Sequence, residues 1–320
     1  MSSPVPVVVF AYARPDHLRR LLACLRADEI PLLYAFSDGP KTPDVDGRVA
    51  EVRSLLHAID WCEVNVVERT ANLGLGRSIL TGVNEVFQKH DAILVFEDDM
   101  LFVPGTYRYL CAALEHYRDD PRVMSVTGWT HPLIKPDDLS DQPYFDGRSE
   151  CLSWGTWARV WRDIPMDPRG LVAEAKRQGR DIYRYGADLV NYVRRDPQMK
   201  VSWDMPMFFY HILHAGLCLR PPWSMVQHAG WDSMGTNAHV AGKWADPPLD
   251  PCPPVPTDWP VPQENPACAE LWQKQYGGKP SLLTRIKDLL TPAYARLLRT
   301  RAGPFFNQLV KVAKKGLRLR

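Results

Sequence analysis

Short apolar runs rich in β-branched residues alternate with stretches of helical periodicity through the N-terminal part of the chain, and this order predicts a parallel sheet with right-handed crossovers. Residues 5–11 predict a first strand that empties into Tyr12-Ala13-Arg14-Pro15-Asp16-His17. Asp16 or the Pro15 turn starts a helix whose Leu18, Leu21, Leu22 and Leu25 keep helical spacing. A second strand over 32–36 ends in Ser37-Asp38-Gly39-Pro40, a strong turn signal, and a helix over 45–58 and a third strand over 63–67 follow. Gly74 and Gly76 then allow a close backbone approach, and a helix from about residue 77 to 88 begins there. A helix N-terminus beside Arg77 is a seat for phosphate, although glycines also precede many helices that bind nothing. The helix feeds Ala92-Ile93-Leu94-Val95-Phe96, five apolar residues that read as a strand buried on both faces.

Further on, a helix is expected over 104–117 and a strand over 123–127. Residues 128–150 read as irregular and polar, long enough for a functional loop or a lid. Trp154, Trp157 and Trp161 fall at spacings of three and four, which places them on one helical face, either as core or as a platform for stacking a sugar ring. Helices are expected around 168–178 and 181–195, and from Asp204 to about 216. Asp204 sits at the natural N-cap with Pro206 in the first turn, so capping explains it as fully as catalysis does. His211 and His214 read as ordinary helix residues. A strand over 223–227 gives way to a glycine-containing turn from His228 to Asn237. Nine of the 21 residues from 246 to 266 are proline, which predicts an extended arm on the body or a stiff linker. Two amphipathic segments, 282–301 and 304–320, close the chain, the first kinked at Pro292. The expected division is a catalytic domain over 1–245, a proline-rich arm or linker over 246–280 and a helical tail over 281–320.

Composition changes this picture mainly through charge. The net +2 of the 320-residue chain hides a tail, 281–320, with ten Lys/Arg against one Asp (+9), which leaves 2 − 9 = −7 on residues 1–280. A mildly acidic body argues against nucleic acid as a partner, whereas a basic amphipathic tail suits an anionic membrane surface or docking on the body itself. Seven scattered cysteines without a C-x-x-C pair fit a reducing, cytoplasmic setting and argue against both a disulfide framework and a zinc site. No secretory leader and no membrane-spanning run is expected.

The strand over 92–96 leads directly into Glu97-Asp98-Asp99. Two unit charges about 4 Å apart repel by roughly 4 kcal/mol at an effective dielectric near 20. Three acids at the carboxyl end of a core strand, where α/β sheets keep their ligand crevice, therefore call for a cation. The competing account is a solvated acidic turn in which Asp98 or Asp99 caps the next helix.

At this point the motifs resemble a family. Phe10-Ala11-Tyr12-Ala13-Arg14-Pro15-Asp16-His17-Leu18 is similar to the first βα turn of GT-A glycosyltransferases, especially glycosyltransferase family 2. Ser37-Asp38-Gly39, Asn72-Leu73-Gly74 with Arg77, and Glu97-Asp98-Asp99 follow in that family's order and rough spacing. The acidic triplet with the later Trp203-Asp204 resembles the inverting N-acetylglucosaminyltransferase I branch, and the resemblance covers about residues 5–237. It implies an α/β GT-A fold and a nucleotide-sugar donor, a UDP-sugar first among them. The donor side would comprise Ala11, Arg14, Asp38, Asn72, Arg77, Glu97, Asp98, Trp154 and His228. Within it, Arg14 and Asp38 would lie near the base, Asp98 at the ribose and Glu97 at the sugar. Asp99 would hold Mn2+ or Mg2+, Asp204 would be the general base, and the acceptor would be a glycan or a lipid-linked sugar. Two alternatives stand beside it: a catalytically idle nucleotide-sugar-binding domain at the membrane, and a sugar nucleotidyltransferase. The latter lacks its usual glycine-rich loop at Tyr12-Ala13-Arg14-Pro15.

Overall fold

The computed structural model describes residues 4–137, 139, 141–195, 202–230 and 249–280. The expected alternation is realised in β1 (Val7–Ala11), α1 (Pro15–Ala27), β2 (Leu32–Ser37), α2 (Asp46–His57), β3 (Glu63–Glu68), α3 (Leu75–Val86) and β4 (Ala92–Glu97). There follow β5 (Met100–Phe102), α4 (Thr106–His116), β6 (Val123–Thr127), β7 (Tyr144–Asp146), β8 (Trp154–Trp157) and α5 (Ala158–Trp161). The described part ends with α6 (Pro168–Arg177), α7 (Asp188–Arg195), α8 (Asp204–His214), β9 (Leu217–Arg220), β10 (Val226–His228) and α9 (Ala267–Tyr276).

Eight strands form one sheet in the order β3-β2-β1-β4-β8-β6-β9-β7. The pairs β1–β2, β1–β4, β2–β3 and β6–β9 are parallel, and β7 and β8 run against their neighbours. This mostly parallel α/β sheet flanked by helices is consistent with the GT-A type fold. β1 lies inside it with all five residues buried, which is why its sequence is an unbroken apolar run. Ala11 is level with Ser37 and Phe10 with Glu97, so β1, β2 and β4 all deliver their carboxyl ends to one rim of the sheet.

The structure corrects four local expectations. The three tryptophans do not share a helical face: Trp154 and Trp157 belong to β8, and only Trp161 lies on α5. Trp154 is buried with Trp161 stacked at 5.5 Å and Trp203 at 4.9 Å, so it has no ring face for a sugar and its donor role is overturned. The stretch 128–150 is not wholly irregular, because β7 pairs with β9, a strand that the apolar run after Asp204 concealed. What orders this polar segment is the buried Arg220. Its Nε donates to Asp146 Oδ2 at 2.9 Å, its Nη1 to Glu150 Oε2 at 3.2 Å, and its Nη2 to the Arg148 carbonyl at 3.0 Å. A buried guanidinium is tolerable only when satisfied in this way. Finally, the helix expected from 181 begins at Asp188, after Gly186 adopts φ +105°, and Asp204 is the first residue of α8, with Trp203 at the N-cap.

The described part of the proline-rich stretch, from residue 249 on, lies along the body. Tyr117 Oη donates to the Pro260 carbonyl at 2.6 Å and Trp223 Nε1 to that of Pro251 at 2.9 Å, and Trp259 packs against Tyr109 and Tyr117. Beyond it, α9 buries Trp272 in a second core shared with α6, α7 and α8. The segment 281–320 and the turn from 231 to 237 lie outside the described residues. Among the described residues no helix is long and apolar enough to cross a membrane.

Candidate functional site

At the rim where β1, β2 and β4 end is a cavity of about 270 Å³. It gathers Ala11, Arg14, Asp38, Asn72, Glu97, Asp98, Asp99 and His228, and leaves out Arg77, Trp154 and Asp204. Its walls follow from local sequence. Asp38, at the end of β2, accepts from the Leu73 amide at 2.8 Å through Oδ1 and from the Gly74 amide at 2.9 Å through Oδ2. It therefore holds the loop before α3, and its carboxylate is engaged by backbone instead of projecting toward a ligand. Asn72 Nδ2 donates to the Gly39 carbonyl at 2.9 Å, tying the same two loops. Gly39 is required there: a Cβ would come within 2.5 Å of the Ala71 carbonyl carbon. Gly74 caps α3 with φ +74°, a conformation that favours glycine, and it lines the cavity with Leu75 and Ser78, so the helix N-terminus faces the space.

The acids are held on the opposite wall. Asp98 and Asp99 are both buried and are bridged by one guanidinium: Arg14 Nη1 donates to Asp99 Oδ2 at 2.7 Å and Nη2 to Asp98 Oδ1. Asp98 Oδ2 also accepts from the Tyr12 amide at 3.3 Å, which fastens β4 to the turn after β1. The antiparallel ribbon of β5 with β10 carries His228 back over the acids, its Nε2 3.3 Å from Asp99 Oδ2. Gly230 lets the chain pass, since a Cβ there would sit 2.4 Å from that same oxygen. Asp99 Oδ1 remains buried with no hydrogen-bond partner among the described residues.

Electrostatics separates the three carboxyls. Burial, then the charges of Asp99 and Asp98, push Glu97 up to about 8 against the pull of Arg14. Burial raises Asp98 despite Arg14. Burial also pushes Asp99 upward, but the His228 hydrogen bond and Arg14 outweigh it and hold this carboxyl below its ordinary value. The site thus combines one carboxylate held below its ordinary value and bearing an unused oxygen with a neighbour pushed up to about 8. Among the described residues no group of three His, Cys, Asp or Glu side chains encloses a metal by itself. A hard divalent ion bound with a diphosphate needs only one or two protein carboxylates, and Asp99 fits that demand.

Tyr12, Lys41 and Ser78 are among the lining residues that sequence reasoning did not single out. Lys41 is the exposed cation at the mouth, where Arg77 had been expected. The turn signal at Ser37-Asp38-Gly39-Pro40 marks its neighbourhood, yet nothing local distinguishes it from a solvated lysine. Asp204 stands next door, close enough for its charge to help raise Glu97. Its Oδ1 accepts from the Met205 amide at 2.9 Å and from Ser202 Oγ at 2.5 Å.

No family model matches the sequence, and no curated protein matches it. Among solved structures, a mannosyltransferase from Pyrobaculum calidifontis in complex with GDP-Man and Mn2+ is similar at 14% identity and TM-score 0.38, over 50% of this chain and 47% of that one. S. aureus TarS 1-349 is similar at 11% identity and TM-score 0.42, over 72% and 61%. A UDP-glucose pyrophosphorylase complexed with UDP-glucose is similar at 8% identity and TM-score 0.36, over 69% and 91%. The chain spans about half the length of the first of these and under two thirds of the second. The functional reading accordingly rests on this chain's own cavity.

Proposed function

We infer that the chain is a glycosyltransferase that moves a sugar from a nucleotide-sugar donor, a UDP-sugar first among them, to a hydroxyl of a glycan or lipid-linked acceptor. The supporting observation is the buried, unpartnered Oδ1 of Asp99 inside a cavity whose acids outnumber the single Arg14 beside them. Donor phosphates would lie against the N-terminus of α3 and Lys41, which offer amide dipoles and a mobile positive charge. Asp99 would hold Mn2+ or Mg2+, and the ion supplies Lewis-acid neutralisation of the departing diphosphate. Glu97, which burial and its acidic neighbours push upward, would face the donor sugar. Asp98 orders the first turn and, through it, the nucleoside end. His228, its Nε2 3.3 Å from Asp99 Oδ2, would close the diphosphate side from above.

Transfer with inversion needs a base on the face opposite the leaving group. Asp204 takes the proton of the acceptor hydroxyl as that oxygen forms its bond to the anomeric carbon and the bond from that carbon to the diphosphate oxygen breaks. The arrangement of an acidic triplet with a later Trp-Asp is the feature that resembles the N-acetylglucosaminyltransferase I branch. The basic segment 281–320 would hold the enzyme at an anionic membrane face, each Lys or Arg near the surface adding about 1 kcal/mol. Replacing Asp99 by Asn tests the reading. The variant should fold and lose both transfer and the Mn2+ dependence of donor binding; full turnover at saturating Mn2+ would overturn it.

A further inference from the structure

Charge is unevenly distributed over residues 1–280. Residues 166–195, which contain α6 and α7, hold seven Lys/Arg against four Asp/Glu (+3), so the rest of 1–280 sums to −7 − 3 = −10. Helical spacing puts the cations outside. In α6, Pro168, Leu171, Val172 and Ala175 are buried, and Arg169, Lys176 and Arg177 are exposed on the other face. In α7, Leu189, Val190 and Val193 are buried, and Arg194 and Arg195 are exposed. Both helices turn their apolar sides into the second core, so their basic sides look away from it. Arg177 pairs with Glu174, and Arg184 with Glu264 at 2.8 Å. Lys176, Arg180, Arg194 and Arg195 are exposed and carry no ion pair among the described residues. Cations in a last helical turn complement the macrodipole, and this explains Lys176, Arg194 and Arg195 as helix stabilisers. It does not explain Arg180, which lies beyond α6, or a basic layer on an otherwise acidic body. Met166, an apolar side chain, is exposed just ahead of α6.

The path of the chain is a second, independent pointer. α9 is tied to this layer: Gln273 Nε2 donates to the Arg184 carbonyl at 3.1 Å, and the Ala187 amide to the Gly277 carbonyl at 2.8 Å. The segment 281–320, with its +9, therefore begins four residues after a contact with the entry to α7. Like charge opposes folding of that segment back over α6 and α7, whereas an anionic surface attracts both.

We propose that the outer face of α6 and α7 is itself a membrane contact, lying against an anionic bilayer beside the segment 281–320 and fixing which side of the body meets the lipid. A basic tail alone would tether the body in any orientation; a cationic face on the body selects one. Each Lys or Arg near such a surface is worth about fivefold in partitioning, and the attraction fades within a Debye length of about 8 Å. Only cations on the facing side contribute. Neither the face nor its test depends on the glycosyltransferase reading.

Co-sedimentation of the full chain with vesicles at physiological ionic strength tests this, using phosphatidylcholine alone and phosphatidylcholine with about a third phosphatidylglycerol. Lys176→Gln, Arg180→Gln, Arg194→Gln and Arg195→Gln combined should weaken binding to the anionic vesicles by up to about 600-fold and by no less than about fivefold. Arg180→Gln alone, outside both helices, should cost up to about fivefold and reads the face independently of helix stability. A control with the same loss of charge elsewhere on the surface, Arg20→Gln, Arg26→Gln, Arg48→Gln and Arg108→Gln combined, should bind almost as the wild type does. Wild-type binding to the neutral vesicles should be weak. A combined face variant weakened by less than about fivefold, or a control weakened as much, would overturn the proposal. So would a face variant that loses binding to a DNA duplex while keeping the vesicles. Lipid binding is read without donor, so its failure and that of the glycosyltransferase reading are separate outcomes.

Discussion

Arg14 is the cation that makes the acidic wall foldable, and Arg14→Met isolates that role. Methionine keeps an unbranched apolar stem and removes the charge, so the packing of the aliphatic part changes little. In the wild-type protein the guanidinium bridges Asp98 and Asp99, whose side chains are 2% and 5% exposed, and is itself 17% exposed. Removing one partner from a buried ion pair costs about 3–5 kcal/mol, because the remaining charge is left uncompensated. At about 2–4 °C per kcal/mol for a domain near this size, melting should fall by roughly 6–20 °C in EDTA. Two further signatures separate this from a packing defect. Asp98 is already raised above its ordinary value by burial, and without Arg14 it rises further. A carboxyl whose folded pKa exceeds its unfolded one penalises stability above the folded pKa and stops doing so as pH falls through it, so the variant should recover toward acid. Mn2+ should also stabilise the variant more than the wild type, since a divalent cation replaces the missing charge. The assay is thermal melting from pH 5 to 8 with EDTA or Mn2+. A variant melting within about 2 °C of wild type in EDTA at pH 7.5 would refute the claim that the buried acids require a cation.

Other expectations follow from the same geometry. Asp204→Asn should retain donor-induced stabilisation while transfer falls by about 10²–10⁴-fold, the usual worth of a positioned base; equal losses of both would assign Asp204 to structure. His211 is buried on α8, its Nδ1 donating to the Met207 carbonyl and its Nε2 accepting from Ser125 Oγ, both at 2.9 Å, and burial holds it down to about 4. The unfolded chain therefore takes up this proton first, and wild-type stability should decline as pH falls from about 6.5 toward 4, by about 3 kcal/mol in total. Denaturant titrations should show a shallower decline in His211→Gln, and identical slopes would remove His211 as the cause. Gly74→Ala forces an L-residue to φ +74° and should cost about 1–3 kcal/mol and weaken donor binding, read by melting with and without donor.

The sheet was legible because a parallel core strand writes itself as an unbroken apolar run: β1 and β4 have buried interiors and polar exits, and those exits line the cavity. Tyr12 to Arg14, Asp38, Asn72 and the acidic triplet fall on one rim for that reason. Other features depended on partners distant in sequence. The tryptophan spacing fits a helical face and a strand followed by a short helix equally well, and β8 was decided by its place between β4 and β6. β7 and β9 are short, and what stabilises them is the buried Arg220 network, whose members lie about seventy residues apart. Arg77 carries the expected charge beside the expected glycines, yet it is exposed on α3 and outside the cavity lining, and Lys41 supplies the cation at the mouth. Asp38 was legible as a residue at the sheet rim, where it lines the cavity, but its engagement with the Leu73 and Gly74 amides required coordinates.

The central claim is that the cavity at Asp99 takes a nucleotide-sugar together with a divalent ion. Melting of the wild-type chain against UDP-, GDP- and dTDP-sugars, each with and without Mn2+, measures it most directly. The account predicts that one nucleotide class stabilises the protein, by about 2.7 kcal/mol at a hundred times Kd, and does so only with the ion. No shift with any donor, or an equal shift in EDTA, would contradict it.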